Sequence, residues 1–213
     1  MMEKLLFTGA SGFLGHNVKP ILEKQYEITS IGITDQDNIK VNIAKDIPFL
    51  PEKYDVVLHA AGRAHVYPKS QDEIKAFYDV NYEGTVNLCK ALEKGGLPKS
   101  FIFISTLDVY GLAVGLNINE DSPKNPSSHY AISKLQAEEF LIKWAEEKGV
   151  ILGILRPSLM IGPNPPGNLK SMINGIKKGY YVNIAGGKTR KSLMMIYDIA
   201  NLVPKIENVG GIY

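Results

Sequence analysis

Short apolar runs and longer amphipathic stretches alternate along this chain. The segments KLLFTG (4–9), EITSIGI (27–33), DVVLHAAG (55–62), SFIFIST (100–106) and VILGILRP (150–157) read as strands. Several are apolar enough to be covered on both faces. Between them lie helical patterns at 13–24, 72–94 and 129–148, the second carrying Phe77, Val80, Thr85, Leu88 and Leu92 near helical spacing. Pro20 inside the first should bend that helix or mark a late start. Strand and helix in repetition predict an α/β fold, a parallel sheet with helices on both sides. The cluster IGPNPPGN (161–168) breaks the rhythm, and the stretch after it predicts a change from sheet building to pocket building. The expected division is a dinucleotide-binding domain at 1–160 and a partial, short substrate lobe at 161–213.

Composition narrows the classes. At 213 residues, 45% hydrophobic and 22% charged, with a net charge of +2, the chain suits one globular domain with at most a small appendage. Its lysines are scattered, so the basic stripe of a nucleic-acid binder is missing. No apolar run is long enough to cross a bilayer, and MMEK leads straight into LLF without the pattern of a signal peptide. With a single cysteine, Cys89, in the apolar helical context VNLCKAL, a cytoplasmic setting is expected. His16, His59, His65 and His129 are scattered without a carboxylate pattern, so no metal site is expected.

Two motifs carry chemistry. FTGASGFLG (7–15) follows the first strand and opens the first helix, with Gly9, Gly12 and Gly15 suited to a tight turn, close approach of a diphosphate and close helix packing. Amides at that helix start would face the anion. The spacing is GxxGxxG, a partial match to the dinucleotide fingerprint. Asp35, 20 residues past Gly15, stands where an acid would hold a ribose hydroxyl; Gly32 takes that place if the strand ends earlier. With no Arg nearby for a 2′-phosphate, NAD is expected and NADP stays open. In YAISK (130–134), Tyr130 and Lys134 share a helix face, a pairing that by itself also suits a helix facing water.

TGASGFLG, HAAG (59–62), Asn81 in VNYEGT, STLDVYG (105–111), YAISK and LRPSLMIGP (155–163), in this order, make the chain similar to the extended short-chain dehydrogenase/reductase family of nucleotide-sugar epimerases, dehydratases and reductases. The resemblance implies a Rossmann-like doubly wound sheet and NAD held by Gly9, Ser11, Gly12, Phe13, Leu14, Gly15, Asp35, Asn42, Ile43, His59, Ala60, Ala61, Asn81, Tyr130, Lys134 and Pro157. It makes Tyr130 the general acid/base, Lys134 the charge that acidifies the phenol and binds the nicotinamide ribose, and Thr106 a hydrogen-bond partner of the reacting oxygen. Asn81 would support this relay or order the adjoining strand. Leu107 and Asp108 replace the Asp-Glu pair of dehydratases, which leaves epimerisation or carbonyl reduction. RAHV (63–66) and GGKTRKSLMMIYDIANLV (186–203) resemble the branch acting on UDP-N-acetylhexosamines, with Arg190 or Lys191 on the diphosphate and Asn168 near the nucleotide. A homodimer through 72–94 and 129–148 is implied. The alternatives are a dinucleotide-binding protein without turnover and a reductase of non-sugar carbonyls.

Overall fold

The computed structural model describes residues 2–64, 66–112, 114–181 and 190–213. Five strands fall where the apolar runs predict them: β1 (Glu3–Thr8), β2 (Tyr26–Gly32), β4 (Val56–His59), β5 (Ser100–Ile104) and β6 (Ile151–Leu155). The short β3 (Ile39–Lys40) and β9 (Gly211–Ile212) complete one sheet in the order β3-β2-β1-β4-β5-β6-β9, parallel throughout. Strand order runs outward in opposite directions from β1 and β4. Their C-terminal ends therefore bound the crevice where such sheets take ligands.

Alternation along the strands divides the core. Leu6, Val57, Phe101 and Phe103 face one side and bury α3 (Gly84–Gly95) and α4 (His129–Lys148) through Leu88, Leu92, Leu141 and Trp144. Leu5, Phe7, Val56, Leu58 and Ile102 face the other and bury α1 (Phe13–Leu22). Each strand is covered twice, which is why the sequence shows continuous apolar runs. Pro20 sits exposed in the last turns of α1, which starts at Phe13, so it is not a late start. The helix expected at 72–94 is three pieces: α2 (Gln71–Tyr78), a π turn (Asp79–Glu83) and α3. Cys89 is a buried thiol of this core.

The region after the Pro/Gly cluster differs from expectation. β7 (Leu159–Ile161) and β8 (Leu193–Met195) form a small parallel pair, and α5 (Gly167–Lys177) lies between them in sequence. The chain then returns to sheet building. Helix α6 (Ile196–Ile206) lays Ile196, Ile199, Ala200, Val203 and Ile206 into the core that holds α1. Next, β9 joins β6, with the Tyr213 amide donating to the Ile154 carbonyl at 2.9 Å. The stretch 161–213 is thus not one lobe: α6 and β9 belong to the sheet, because an i, i+3, i+4, i+7 apolar stripe has nowhere else to be buried.

This placement of α6 is testable. Ile199 is fully buried, and Ile199→Ala should cost about 2–5 kcal/mol in urea unfolding. A loss below about 1 kcal/mol would put α6 outside the core.

Candidate active site

The glycine turn is shaped by what its residues lack. Gly9 has φ of 76°, and a Cβ there would stand 2.7 Å from the Ala61 amide nitrogen. Only glycine lets the β1 loop lie against Ala60 and Ala61. At Gly15 a Cβ would reach 2.1 Å from the Ala10 carbonyl, so the helix packs directly on the turn. No side chain caps α1 at Gly12, and no acidic residue lies in its first turn. The amides of Phe13, Leu14 and Gly15 thus form an open, positively polarised helix start, while the side chains of Phe13 and Leu14 pack into the core. Beside them a cavity of about 210 Å³ is lined by Ser11, Gly15, His16, Lys19, Gln36 and Asp37, among others.

Asp35 does not reach this cavity. Its side chain is 91% exposed and paired with Lys40. Strand β2 ends at Gly32, and the turn after it folds Asp37 back, with Oδ2 accepting from the Thr34 amide at 3.1 Å and the Thr34 hydroxyl at 2.7 Å. Asp37 is buried against Gly32, where a Cβ would strike its carboxylate at 2.3 Å. The acid at the glycine turn is therefore Asp37, and the Thr34/Asp37 spacing of a side-chain-capped turn was the available signal.

Thr106, Tyr130 and Lys134 meet at the C-terminal edge of β5. Thr106 follows the strand and accepts from the Asp108 amide at 3.2 Å, capping the short 3-10 turn Leu107–Tyr110. Ser128 caps α4 through the Ala131 amide at 3.1 Å, which fixes Tyr130 in the first turn. Burial pushes the Tyr130 phenol up to about 12; the neighbouring Thr106 hydroxyl draws it down and Asp108 adds to the rise. Lys134 is buried, its Nζ 4.2 Å from the centre of the Phe103 ring. Burial draws its amine down to about 7, and Glu138 one turn further on works in the opposite direction. In the free chain loss of hydration is the largest influence on the phenol, and Lys134 is not among the groups that shift it, so the acidification expected of Lys134 belongs to the proposed mechanism. Gly62, which sequence reasoning left without a role, is the opening to Lys134. A Cβ at Gly62 would stand 3.5 Å from Nζ and 3.2 Å from Asn81 Oδ1.

His59 is not a surface of the cofactor crevice but an enclosed connector. Thr85 donates its hydroxyl to the Asn81 carbonyl at 2.7 Å, so at 2.9 Å it accepts from His59 Nε2. That places the proton on Nε2 and leaves Nδ1 to accept from the Thr8 hydroxyl at 2.5 Å. Burial holds this imidazole neutral, down to about 3. Asn81 continues the chain from the π turn, donating to the Ser133 hydroxyl at 2.9 Å and accepting from the Arg63 amide at 2.7 Å. Ser133 in turn donates to the Tyr130 carbonyl at 2.8 Å. Asn81 therefore ties α4 to the loop after β4, with a π turn at the junction as is frequent at functional sites.

The remaining expected residues scatter. Asn42 caps its own turn through the Ala44 amide at 3.1 Å, and Ile43 is buried against α3. Pro157 accepts from the Leu107 amide at 3.1 Å and helps line a second cavity, of about 420 Å³, with Leu107, Arg156, Ser192, Met194 and Tyr213. Asn168, Arg190 and Lys191 are exposed and line neither cavity. His65 and residues 186–189 lie outside the described residues. Among the described residues no group of His, Cys, Asp and Glu could hold a metal, and no helix is long and apolar enough to cross a membrane.

A parallel sheet in this order, a glycine turn after β1 and a YxxxK helix beside the end of β5 define an extended short-chain dehydrogenase/reductase. The sequence profile of the NAD dependent epimerase/dehydratase family matches residues 5–206, and the chain belongs to that family. It is 33% identical over 233 aligned positions to the N-acetyl-alpha-D-glucosaminyl-diphospho-ditrans,octacis-undecaprenol 4-epimerase of Escherichia coli O157:H7, covering 100% of this chain and 66% of the relative. A UDP-glucose 4-epimerase of Vibrio cholerae is 30% identical, over 95% of this chain and 66% of its own length. The chain thus spans just under two thirds of both relatives. Among solved structures, RMD from Pseudomonas aeruginosa complexed with NADPH superposes with a TM-score of 0.81 at 24% identity, covering 100% of this chain and 76% of that one.

A buried amine carries a stability cost with a defined pH window. In the folded chain Lys134 titrates at about 7 against an ordinary 10.5, so the unfolded chain binds more protons between those values. Below about pH 7 the full cost of the buried charge is borne, and it is relieved as pH rises toward 10.5. Lys134→Met should therefore be more stable than the parent at pH 7. The difference should shrink by up to about 1.4 kcal/mol per pH unit above it. Thermal melts from pH 6 to 10 check this; a variant less stable than the parent at pH 7 would refute the buried-charge reading.

Proposed function

We propose that this chain binds NAD along the glycine turn and acts at C4 of a nucleotide sugar, as an epimerase or a 4-keto reductase of the UDP-hexose or UDP-N-acetylhexosamine class. The residues suit the dinucleotide: Gly9 and Gly15 clear a cradle that a Cβ would fill, the α1 amides are uncapped by side chains, and Asp37 lines the adjoining cavity. When bound, NAD supplies the site that takes up and returns the sugar's hydride. The relatives in Escherichia coli O157:H7 and Vibrio cholerae support a sugar carried on a diphosphate, and C4 as the reacting carbon.

The observation that carries the proposal is the convergence of Thr106, Tyr130 and Lys134 on the crevice edge. A neutral phenol is a proton donor, the form that serves reduction of a C4 ketone. Oxidation of the C4 alcohol needs the phenolate, and the Lys134 ammonium and the positive end of α4 both favour that form once a substrate completes the site. Leu107, in place of an acid next to Thr106, supports epimerisation or reduction over dehydration. Arg190, Lys191 and Asn168 stay candidates for the sugar nucleotide. A homodimer is part of the same reading, with Ile142 on the outer side of α4 40% exposed.

Incubation with UDP-glucose or UDP-N-acetylglucosamine and NAD, followed by proton NMR of the anomeric region, should show the C4 epimer. Tyr130→Phe should lower the rate by about 10²–10⁴-fold; a variant as active as the parent would refute the role of the phenol. Asp37→Ala should weaken NAD about tenfold or more, the worth of a charge-assisted hydrogen bond, and leave NADP nearly unchanged. Calorimetric titration with both dinucleotides checks this, and equal losses for the two would exclude Asp37 as the ribose acid.

A further inference from the structure

Behind the acid/base set lies a second, fully enclosed polar cluster. The side chains of Glu138 and Arg156 are each 1% exposed. Arg156 Nη2 donates to Glu138 Oε2 at 2.6 Å, and Nε reaches both carboxylate oxygens at 3.1 and 3.2 Å. The Ser105 hydroxyl donates to Oε1 of the same carboxylate. Arg156 Nη1 donates to the Tyr110 hydroxyl at 2.8 Å and to the Glu120 carbonyl at 3.3 Å, with the guanidinium over the Tyr110 ring at 5.2 Å.

The cluster joins four places on which the site depends. Ser105 immediately precedes Thr106, and Tyr110 ends the short helix that Thr106 caps. Glu138 lies on α4 one turn beyond Lys134 and two beyond Tyr130, so the three share a face. Arg156 comes from the end of β6. An apolar pair of similar volume would often serve stability as well or better than buried charges, so packing alone gives no reason for an ion pair here.

We propose that Glu138 and Arg156 are a positioning pair for the acid/base set, locking the Ser105–Thr106 corner to the catalytic helix and holding a counter-charge one helical turn from the Lys134 amine. The groups facing Lys134 narrow the source of that charge. From β4 comes His59, which is neutral; from β5, the Phe103 ring; from the π turn, the uncharged Asn81; and from α4, the neutral Tyr130 and Glu138. Glu138 is the influence that raises the amine against its burial. Arg156 keeps that carboxylate aimed and satisfied through its Nε and Nη2 donors.

The proposal rests on reading Thr106, Tyr130 and Lys134 as the acid/base set, yet its test needs no turnover. Protein labelled with carbon-13 at lysine Cε is titrated by NMR, the Lys134 signal being assigned by its loss in Lys134→Met. The parent midpoint should lie near 7, and Glu138→Gln should lower it by about one unit or more. Because Glu138→Gln strands a buried guanidinium, a second variant, Glu138→Leu/Arg156→Met, repacks the site without charge. It should melt cooperatively and still titrate below the parent, whereas Arg156→Lys should stay near the parent value. A folded Glu138→Leu/Arg156→Met protein with the parent midpoint would overturn the proposal. Failure on sugar nucleotides would leave this titration standing, and an unmoved titration would leave the proposed reaction standing.

Discussion

The structure turns on taking one ammonium group out of water. Lys134 lies under the C-terminal edge of the sheet, against the face of Phe103, and burial brings its amine close to neutrality. An amine in that state exchanges protons readily at physiological pH, which an exposed lysine does not. The surrounding features serve this group. Gly62 leaves access to it, Glu138 supplies its counter-charge, and the His59–Thr85–Asn81–Ser133 chain holds its helix against the end of β4. The phenol one turn earlier is desolvated as well, and burial pushes it up.

Two faces of one sheet divide the labour. The face toward α3 and α4 carries the residues proposed as the acid/base set and their polar connectors, and the face toward α1 and α6 carries the uncapped helix start proposed to take the diphosphate. Because β1 and β4 are neighbours while the chain leaves them in opposite directions, their C-terminal ends bound the place where such sheets take ligands. The glycine turn could not close against Ala60 and Ala61 with any side chain at Gly9. The same burial that draws Lys134 down opposes folding.

Much of this was legible from residues alone. The doubly covered strands announce themselves as unbroken apolar runs, and the glycine turn and YAISK carry spacings tied to their geometry. Counting residues singles out Asp35 because it ignores the turn: Thr34 binds Asp37, and the Asp35 side chain is left exposed. His59 looked like a crevice residue since a strand end was visible but its threonine partners, 51 and 26 residues away, were not. The π turn has no period of its own and vanished inside a helical pattern. Helix α6 hid behind Pro204 and the irregular stretch before it, although its apolar stripe was present. The burial of Tyr130 was hidden for a general reason: proximity of charges is written in sequence, whereas hydration is settled only by the packed fold.

A crystal structure of the protein with NAD and a UDP-sugar tests the account most directly. The account predicts the diphosphate of the dinucleotide against the amides of Phe13 and Leu14, its nicotinamide ribose in hydrogen-bond reach of Lys134, and the sugar's C4 oxygen between Thr106 and Tyr130. A dinucleotide seated elsewhere, or a C4 oxygen out of reach of the Tyr130 hydroxyl, would contradict it.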